Sequence, residues 1–328
     1  MPDIDTINGI DENDVSHYNG GAADLYTSKN GDTWVHFVFG WGGTRGIVAG
    51  GYITDDMDYI TIATEGNAIE FGDLSFARRG SGTCSNVTRG VFAGGNTYWS
   101  VYYNSMDYVT IAILGTAGDF GDLLEGAYTN PFGHCDGSRG VMAGGYSPAG
   151  STNFINYFPV ATHTGYATDF GNLTVGRYGA VSFNDSTRGC FMAGSRAPGS
   201  EVTIDYITIQ STGNATDFGD MTGPARYYLF DGASDATRGL GAGGDSYNDI
   251  DYVTIATTGN SSDFGNLQRT KTGGAGGSSG VRAFFGGGHS TSSALDEIGF
   301  VVIQTTGDAA DFGDLTSPFQ MQFGCAGG

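Results

Sequence analysis

The sequence predicts an all-β propeller, a closed ring of four-stranded blades. Three observations carry the prediction. A stretch typified by Asp107-Tyr-Val-Thr-Ile-Ala-Ile-Leu-Gly-Thr-Ala-Gly-Asp-Phe-Gly-Asp-Leu123 occurs six times, with Phe71, Phe120, Phe170, Phe218, Phe264 and Phe312 spaced 49, 50, 48, 46 and 48 residues apart. A second stretch, Thr88-Arg-Gly-Val-Phe-Ala-Gly-Gly95, alternates with it and carries Arg45, Arg89, Arg139, Arg188, Arg238 and, in a worn copy, Arg282. A fixed period near 48 marks a repeat architecture. Third, glycine fills 58 of 328 positions and lysine only two, while aromatic and β-branched residues recur regularly. That composition favours short strands and tight turns over helices, and the regular apolar anchors argue against disorder.

Each unit reads as four extended segments. Segment a is variable, as in Arg177-Tyr-Gly-Ala-Val-Ser-Phe183. Segment b is the Thr-Arg-Gly run that closes on Gly-Gly. Segment c, Asp-Tyr-Val-Thr-Ile-Ala-Thr, puts Tyr, Thr and Ala on one face and Val and Ile on the other, as a strand covered on both sides requires. Segment d is Ala-Thr-Asp-Phe-Gly-Asp-Leu. The Gly-Asn pairs at Gly66-Asn67, Gly213-Asn214 and Gly259-Asn260 predict a tight hairpin turn between c and d.

The ends of the chain decide the blade count. Residues 1–30 fit the repeat poorly: Asp3–Asp11 reads as one strand with a turn at Asn8-Gly9, and Ala22–Thr27 as a worn copy of Ala215–Asp220. The regular pattern starts at Thr33. Ser317-Pro-Phe-Gln-Met-Gln-Phe-Gly-Cys-Ala326 is an additional copy of segment a with no b, c or d behind it. Pairing that strand with residues 1–30 closes the ring without an open edge. At about 48 residues per unit, 328 residues make about 6.8 units. Seven blades are therefore expected, six regular and one composite, in a single domain made of residues 31–328 with the degenerate segment 1–30 contributing to closure. Six blades with a decorating N-terminal segment is the alternative.

Bulk charge narrows the partners. A net charge of −21 and a pI near 4.2 repel phosphate backbones, so no nucleic acid is expected. No apolar run reaches the ~18 residues of a membrane helix, so membrane insertion is not expected. The N-terminus lacks a basic and apolar leader, which argues against secretion by that route. Cys84, Cys135, Cys190 and Cys325 stand in different repeats and read as small buried strand residues, not as a disulfide framework.

Segment order, the Gly-Gly that closes b, the Tyr in c and the aromatic in d resemble kelch repeats, although kelch d segments usually carry Trp where this chain has Phe. The fuller wording, Thr-Arg-Gly-Val-Phe-Ala-Gly-Gly followed by Asp-Tyr-Val-Thr-Ile-Ala-Thr-x-Gly-Asn-Ala-x-Asp-Phe-Gly-Asp-Leu, is similar to repeats in virion structural and tail-fibre proteins of tailed bacteriophages. The resemblance covers residues 33–326. It implies a virion component made in the host cytoplasm, placed in a tail fibre or other host-contacting apparatus, with other virion proteins as partners, homo-oligomerisation within the particle, and a host-surface glycan or protein as ligand. Propellers host many functions, so the repeat itself speaks to architecture.

The repeated residues read as structural. An acid precedes the d Phe in every unit: Glu70, Asp119, Asp169, Asp217, Asp263 and Asp311. The expectation is an ion pair between the b arginines (Arg45, Arg89, Arg139, Arg188, Arg238) and these carboxylates, because the guanidinium fork matches a carboxylate. Arg78, Arg177, Arg226 and Arg269 follow segment d in four units. The d Phe and c Tyr are core anchors. The b–c connections vary instead, and loops on a rigid scaffold are where binding sits. Tyr98, Trp99, Tyr102 and Tyr103, with Tyr146 and Tyr247 in later units, are the candidate ligand-binding residues, since Tyr and Trp supply stiff amphipathic contacts. The bland alternative is contact with neighbouring subunits or virion proteins.

No catalytic residue, metal site or cofactor is expected. Five scattered histidines match no zinc motif. The acid clusters at Asp11–Asp14, Asp55–Asp58 and Asp249–Asp251 match no calcium loop and read as solvated turns. The expected role is a non-enzymatic display module, against two alternatives: a scaffold or decoration protein touching only virion proteins, and a glycan-acting propeller enzyme, which needs two facing carboxylates.

Overall fold

The computed structural model describes residues 44–328 apart from 53, 98–100, 125–127, 163–164, 197–198, 227, 230–231, 236, 246, 291–292, 320–321 and 328. Of residues 1–43 it describes strands at Thr6–Ile7, Ile10–Asp11, Tyr26–Lys29 and Asp32–Val35.

Six four-stranded antiparallel sheets follow one another along the chain as the blades of a propeller. Each runs a, b, c, d from the axis outward. Blade 2 is Gly82–Ser85, Arg89–Ala93, Ser105–Thr110 and Gly118–Asp122. Blade 3 is Phe132–Cys135, Arg139–Ala143, Phe154–Pro159 and Thr168–Asn172. Blade 4 is Val181–Asn184, Arg188–Met192, Thr203–Thr208 and Thr216–Asp220. Blade 5 is Ala233–Ser234, Arg238–Ala242, Asp249–Thr254 and Ser262–Asn266. Blade 6 is Ala275–Ser278, Arg282–Gly286, Leu295–Val302 and Ala310–Phe319.

Blade 1 is the composite. Its strands b, c and d are Arg45–Ala49, Asp56–Thr61 and Ile69–Asp73, and its strand a is Phe323–Gly327 from the far end of the chain. Phe323 faces Ala49 and Gly327 faces Arg45 across this seam. The ring therefore has six blades, not the seven favoured by counting residues. The reason is that the additional a segment completes a blade already holding b, c and d, so no seventh sheet is needed to remove the open edge. The described strands before residue 44 pair among themselves: Thr6–Ile7 with Ile10–Asp11, and Tyr26–Lys29 with Asp32–Val35.

Six hydrophobic clusters hold the ring, and each is built by two adjacent blades. Ile47, Met57 and Phe71 of blade 1 meet Phe92, Val109 and Ile111 of blade 2. Blade 6 closes on blade 1 through Phe284, Ile298 and Phe312 against Val48, Ile60 and Ile62. Segment c serves both interfaces, as its two apolar faces predict. The c Tyr and d Phe meet edge to face in blades 1 to 5, from Tyr59–Phe71 at 6.3 Å to Tyr252–Phe264 at 6.0 Å, and blade 6 substitutes Phe300–Phe312.

The Asp-Phe-Gly motif becomes legible in this packing. Gly72, Gly171, Gly219, Gly265 and Gly313 have φ between 142° and 146°, and a Cβ there meets the backbone of the glycine after the next blade's segment c. Gly66 and Gly213 donate their N–H groups to Phe312 and Phe170 of the preceding blade, each at 2.8 Å. The Gly-Asn pairs are therefore inter-blade docking points. The c–d turns lie earlier, as in Thr64 N–H to Thr61 C=O at 3.0 Å.

The axis is filled. Strand a presents two layers of small residues inward: Thr83, Gly133, Ser182, Gly232, Gly276 and Gly324, then Ser85, Cys135, Asn184, Ser234, Ser278 and Ala326. Hydroxyls and amides stitch neighbours together, with Thr83 Oγ1 donating to Gly324 C=O and Ser85 Oγ to Ala326 C=O, both at 2.7 Å. Asn184 Nδ2 donates to Cys135 C=O at 2.9 Å. The space left is about 70 Å³, room for about two waters. All four cysteines are buried thiols outside any disulfide.

Candidate functional site

The two ends of the ring differ. One end, the turn face, carries the a–b and c–d turns and repeats almost unchanged. Asn86, Asp136, Asp185 and Asp235 each accept the N–H of the b arginine three residues on, and of the residue before it. This Asx turn fixes Thr-Arg-Gly at the start of strand b. The b arginines then act as latches. Arg45, Arg89, Arg139, Arg188 and Arg238 stack 4.4–4.6 Å from the c Tyr of their own blade. Each also donates to a carbonyl at the end of strand c in the next blade: Ile111, Val160, Ile209, Ile255 and Ile303, at 2.8–3.2 Å.

The expected pairing of these arginines with Asp119, Asp169, Asp217, Asp263 and Asp311 is not formed. Those five carboxylates are exposed on the outer strands, where an ion pair gains little. The guanidinium instead lies against a ring face, a cation–π contact with a blade-to-blade hydrogen bond. Ion pairing falls to the residues after segment d. Arg78 meets Asp107 at 2.5 Å, Arg177 meets Asp205 at 2.9 Å, Arg226 meets Asp251, and Lys271 meets Glu297 at 3.4 Å. The four cations are fully buried. Burial lowers the pKa of each, and for Arg78, Arg177 and Lys271 the partner carboxylate opposes the shift, leaving Lys271 at about 8. Blade 3 has Tyr128 and Asn156 at the corresponding positions, so cation and acid are replaced together.

The other end, the loop face, carries the b–c connections and the d–a linkers, and here the repeat breaks down. Around the axis, Gly80, Asn130, Gly179, Tyr228 and Gly273 all take positive φ, between 51° and 62°. Asn130 N–H donates to Gly80 C=O, Gly179 to Asn130, and Gly273 to Tyr228, at 2.6–2.9 Å. This hoop rims the mouth of the filled axis. Tyr228 takes the left-handed conformation without being glycine, which is costly for a bulky residue and is most often met at functional sites.

Aromatic side chains gather on the rim. Tyr146 lies 5.1 Å from Tyr178, which lies 5.8 Å from Tyr228. The backbones of Tyr146 and Tyr178 are pinned by paired hydrogen bonds to Thr129 and Ser195 at 2.8–3.0 Å. Arg79 stacks 4.8 Å from the Tyr52 ring. Burial lowers the Arg79 pKa, opposed by the nearby hydroxyls of Tyr52, Tyr228 and Tyr102. Tyr102 in turn is raised by burial and by Tyr146 beside it. The linker holding Arg79 lies three blades from the one holding Tyr228, so the two stand on opposite sides of the mouth.

The sequence candidates divide accordingly. Tyr102 and Tyr146 stand at the mouth. Tyr103 packs on Phe76 at 4.4 Å and joins Thr97 at 3.3 Å, anchoring its loop. Tyr247 accepts from Lys271 N–H at 3.3 Å and lies near Arg226, away from the others. Tyr98 and Trp99 lie outside the described residues. Arg79, Tyr52, Tyr178 and Tyr228 were missed. The signal was the Arg78-Arg79 doublet and the tyrosines after the linker cations, which depart from the repeat in composition. Asp55, Asp56 and Asp73 bring carboxylate oxygens within 4.8 Å of one another at an exposed edge of blade 1, and exposed acids commonly cluster without an ion. No helix of the described residues is long and apolar enough to cross a membrane. No protein-family model matches the chain, and no curated protein matches it.

Proposed function

We propose that this chain is a non-enzymatic recognition module of a tailed-bacteriophage virion, a rigid ring in a tail fibre or host-contact apparatus that presents its loop face to the host surface. One observation carries the reading: the sixfold regularity is kept on the turn face and abandoned on the loop face, where Tyr52, Tyr102 and Tyr146 of three b–c connections and Tyr178 and Tyr228 of two linkers gather at the mouth with Arg79. A scaffold that touches only its neighbours has no need of a single, irregular, aromatic mouth. Binding modules do, because stiff aromatic rings give contact area at low entropic cost. The reading as a binder also suits the acids. Asp107, Asp205 and Asp251 are buried against cations, and no acid is among the residues lining the axial cavity. The virion assignment rests on the repeat wording, which is similar to phage tail and structural proteins.

The test is adsorption of particles carrying Tyr102→Ala with Tyr146→Ala. Particles that assemble normally but adsorb at least tenfold more slowly support host recognition by this face. Normal adsorption overturns it. Failure of assembly favours the scaffold reading.

A further inference from the structure

We propose that the uncharged aromatic run Phe37–Trp41, which lies outside the described residues, folds back onto an apolar patch of the turn face formed by Ile69, Val87, Ile113 and Leu114. The proposal concerns the face opposite the recognition site, and its test is independent of that reading.

The patch departs from the repeat. In the c–d turn, Ile113-Leu114 stands where blades 4, 5 and 6 have Ser-Thr or Thr-Thr before the same glycine. At the start of strand d, Ile69 stands where no other blade has anything larger than Thr. In the a–b turn, Val87 replaces Gly, Ser or Ala. Ile113 is 66% exposed, Ile69 56%, Leu114 52% and Val87 40%. Blade packing brings them together. Gly115 N–H donates to Phe71 C=O at 2.9 Å, and Ala117 N–H to Asp73 C=O at 2.7 Å. The two stretches run in the same direction, so Ile113 falls beside Ile69 across the joint of blades 1 and 2. Ile111 N–H donates to Thr88 C=O at 2.9 Å, which puts Val87 on the same edge. An apolar patch at a single joint, on a chain of net charge −21, marks a docking place.

The chain itself supplies the cover. Thr44 enters blade 1 at this joint: its C=O accepts from Ile62 N–H at 2.8 Å, and the next residue, Arg45, donates to Ile111 C=O at 3.1 Å, two residues from Ile113. Upstream runs Thr33-Trp-Val-His-Phe-Val-Phe-Gly-Trp-Gly-Gly43, with no Lys, Arg, Asp or Glu. Counted back from the b arginine, Phe39 and Trp41 take the places that Thr83 and Ser85 hold before Arg89. The run is therefore a copy of segment a, yet blade 1 takes its strand a from Phe323–Gly327. The axis gives the reason. The two places point inward, where the strand in use has Gly324 and Ala326, and the space of about 70 Å³ has no room for Phe and Trp. The displaced copy keeps its aromatic side chains and has no slot in the ring. Trp41 is three residues from Thr44, a reach of ~10 Å, so the patch lies within its range. A second copy of the chain is a poorer cover. Four partly exposed side chains fall short of the ~800 Å² per partner of a standard interface, and two acidic rings repel each other.

The experiment reads Trp41 by fluorescence in the full chain. Trp34→Phe with Trp99→Phe leaves it as the single tryptophan. Its emission is expected to lie to the blue of the urea-unfolded protein, with an acrylamide quenching constant at least threefold lower. Adding Ile69→Thr, Ile113→Thr and Leu114→Thr is expected to shift the emission to the red and raise quenching at least twofold, with thermal melting confirming an intact ring. Should that variant lose its cooperative transition, Ile113→Thr with Leu114→Thr, which copies the turn of blades 5 and 6, is read in the same way. Val101→Ser with Leu124→Ser, both exposed on the loop face, is expected to change neither signal. A Trp41 as quenchable as in the unfolded chain, shielding that survives the Thr substitutions, or an equal loss in the loop-face variant each overturns the proposal. Shielding lost on dilution, together with a dimer in sedimentation, also overturns it and gives the patch to a second copy.

Discussion

At the scale of single residues, the repeated arginines show why charge alone misreads a β-propeller. The sequence puts a cation in b and an acid in d at fixed positions, and an ion pair is the obvious expectation. The structure puts the acids in solvent, where pairing is weak, and gives the arginines a tyrosine face and a neighbour's carbonyl. Removing one latch, as in Arg139→Ala, forfeits a cation–π contact and a charged hydrogen bond, together about 1–3 kcal/mol. The expected outcome is a lower urea midpoint with an unchanged slope. Arg139→Lys is expected to recover less than half, since the compact ammonium lacks the planar fork.

His134 gives a second prediction at this scale. It is buried between blades 3 and 4, 5.0 Å from the Phe191 ring, and both ring nitrogens lack a hydrogen-bond partner. Burial pushes its pKa down to about 3. The unfolded chain, with an ordinary value near 6.5, takes up the proton first, so this residue's contribution to stability falls as pH drops from about 6.5 toward 3. At pH 5 the loss is about 2 kcal/mol. Blade 4 carries Phe183 at the corresponding place. His134→Phe is expected to flatten the stability profile between pH 7 and 4, read as melting temperature against pH, and an unchanged slope would refute this account.

At the scale of the element, the d–a linker is the unit that varies by co-substitution. Arg177 and Asp205 are both fully buried. Asp205→Asn alone leaves an uncompensated guanidinium and is expected to cost about 3–5 kcal/mol. Arg177→Tyr with Asp205→Asn reproduces what blade 3 already has at Tyr128 and Asn156. The double variant is expected to regain most of that loss in chemical denaturation. A double variant as weak as the single one would show that the linker depends on the charges themselves and not on a filled, satisfied pocket.

Much of this level was legible beforehand. The order of a, b, c and d, the double-faced segment c and the buried Phe and Tyr follow from period and alternation. The Gly-Asn pairs were misplaced because local turn chemistry outvoted a contact with the next blade, which no single unit contains. The mouth was half legible. Tyr102 and Tyr146 stand in visibly variable loops, whereas Arg79 and Tyr228 sit in linkers whose neighbours around the axis come from three blades away.

At the scale of the molecule, closure rests on Phe323–Gly327. The sequence revealed that strand as a surplus copy but not its address, because residue counting divides a chain into units without saying which edge is open. Its removal strips Phe323 and Cys325 from the core, about 3–4 kcal/mol of burial, and opens strand edges in blade 1. That is a large share of the 5–15 kcal/mol net stability of a typical domain. A chain ending at residue 318 is expected to lose its cooperative melting transition and to elute as aggregates, whereas substitutions in the b–c loops leave both unchanged.

The plugged axis has a consequence for how such a module is wired into anything larger. With side chains stitching each innermost strand to its neighbour and space for about two waters between them, the ring is closer to a disc than to a washer. A space of about 70 Å³ leaves no room for a strand or a polymer along the axis. A ligand held at the proposed loop-face site would have to be reported to the turn face by tilting or displacing the whole disc.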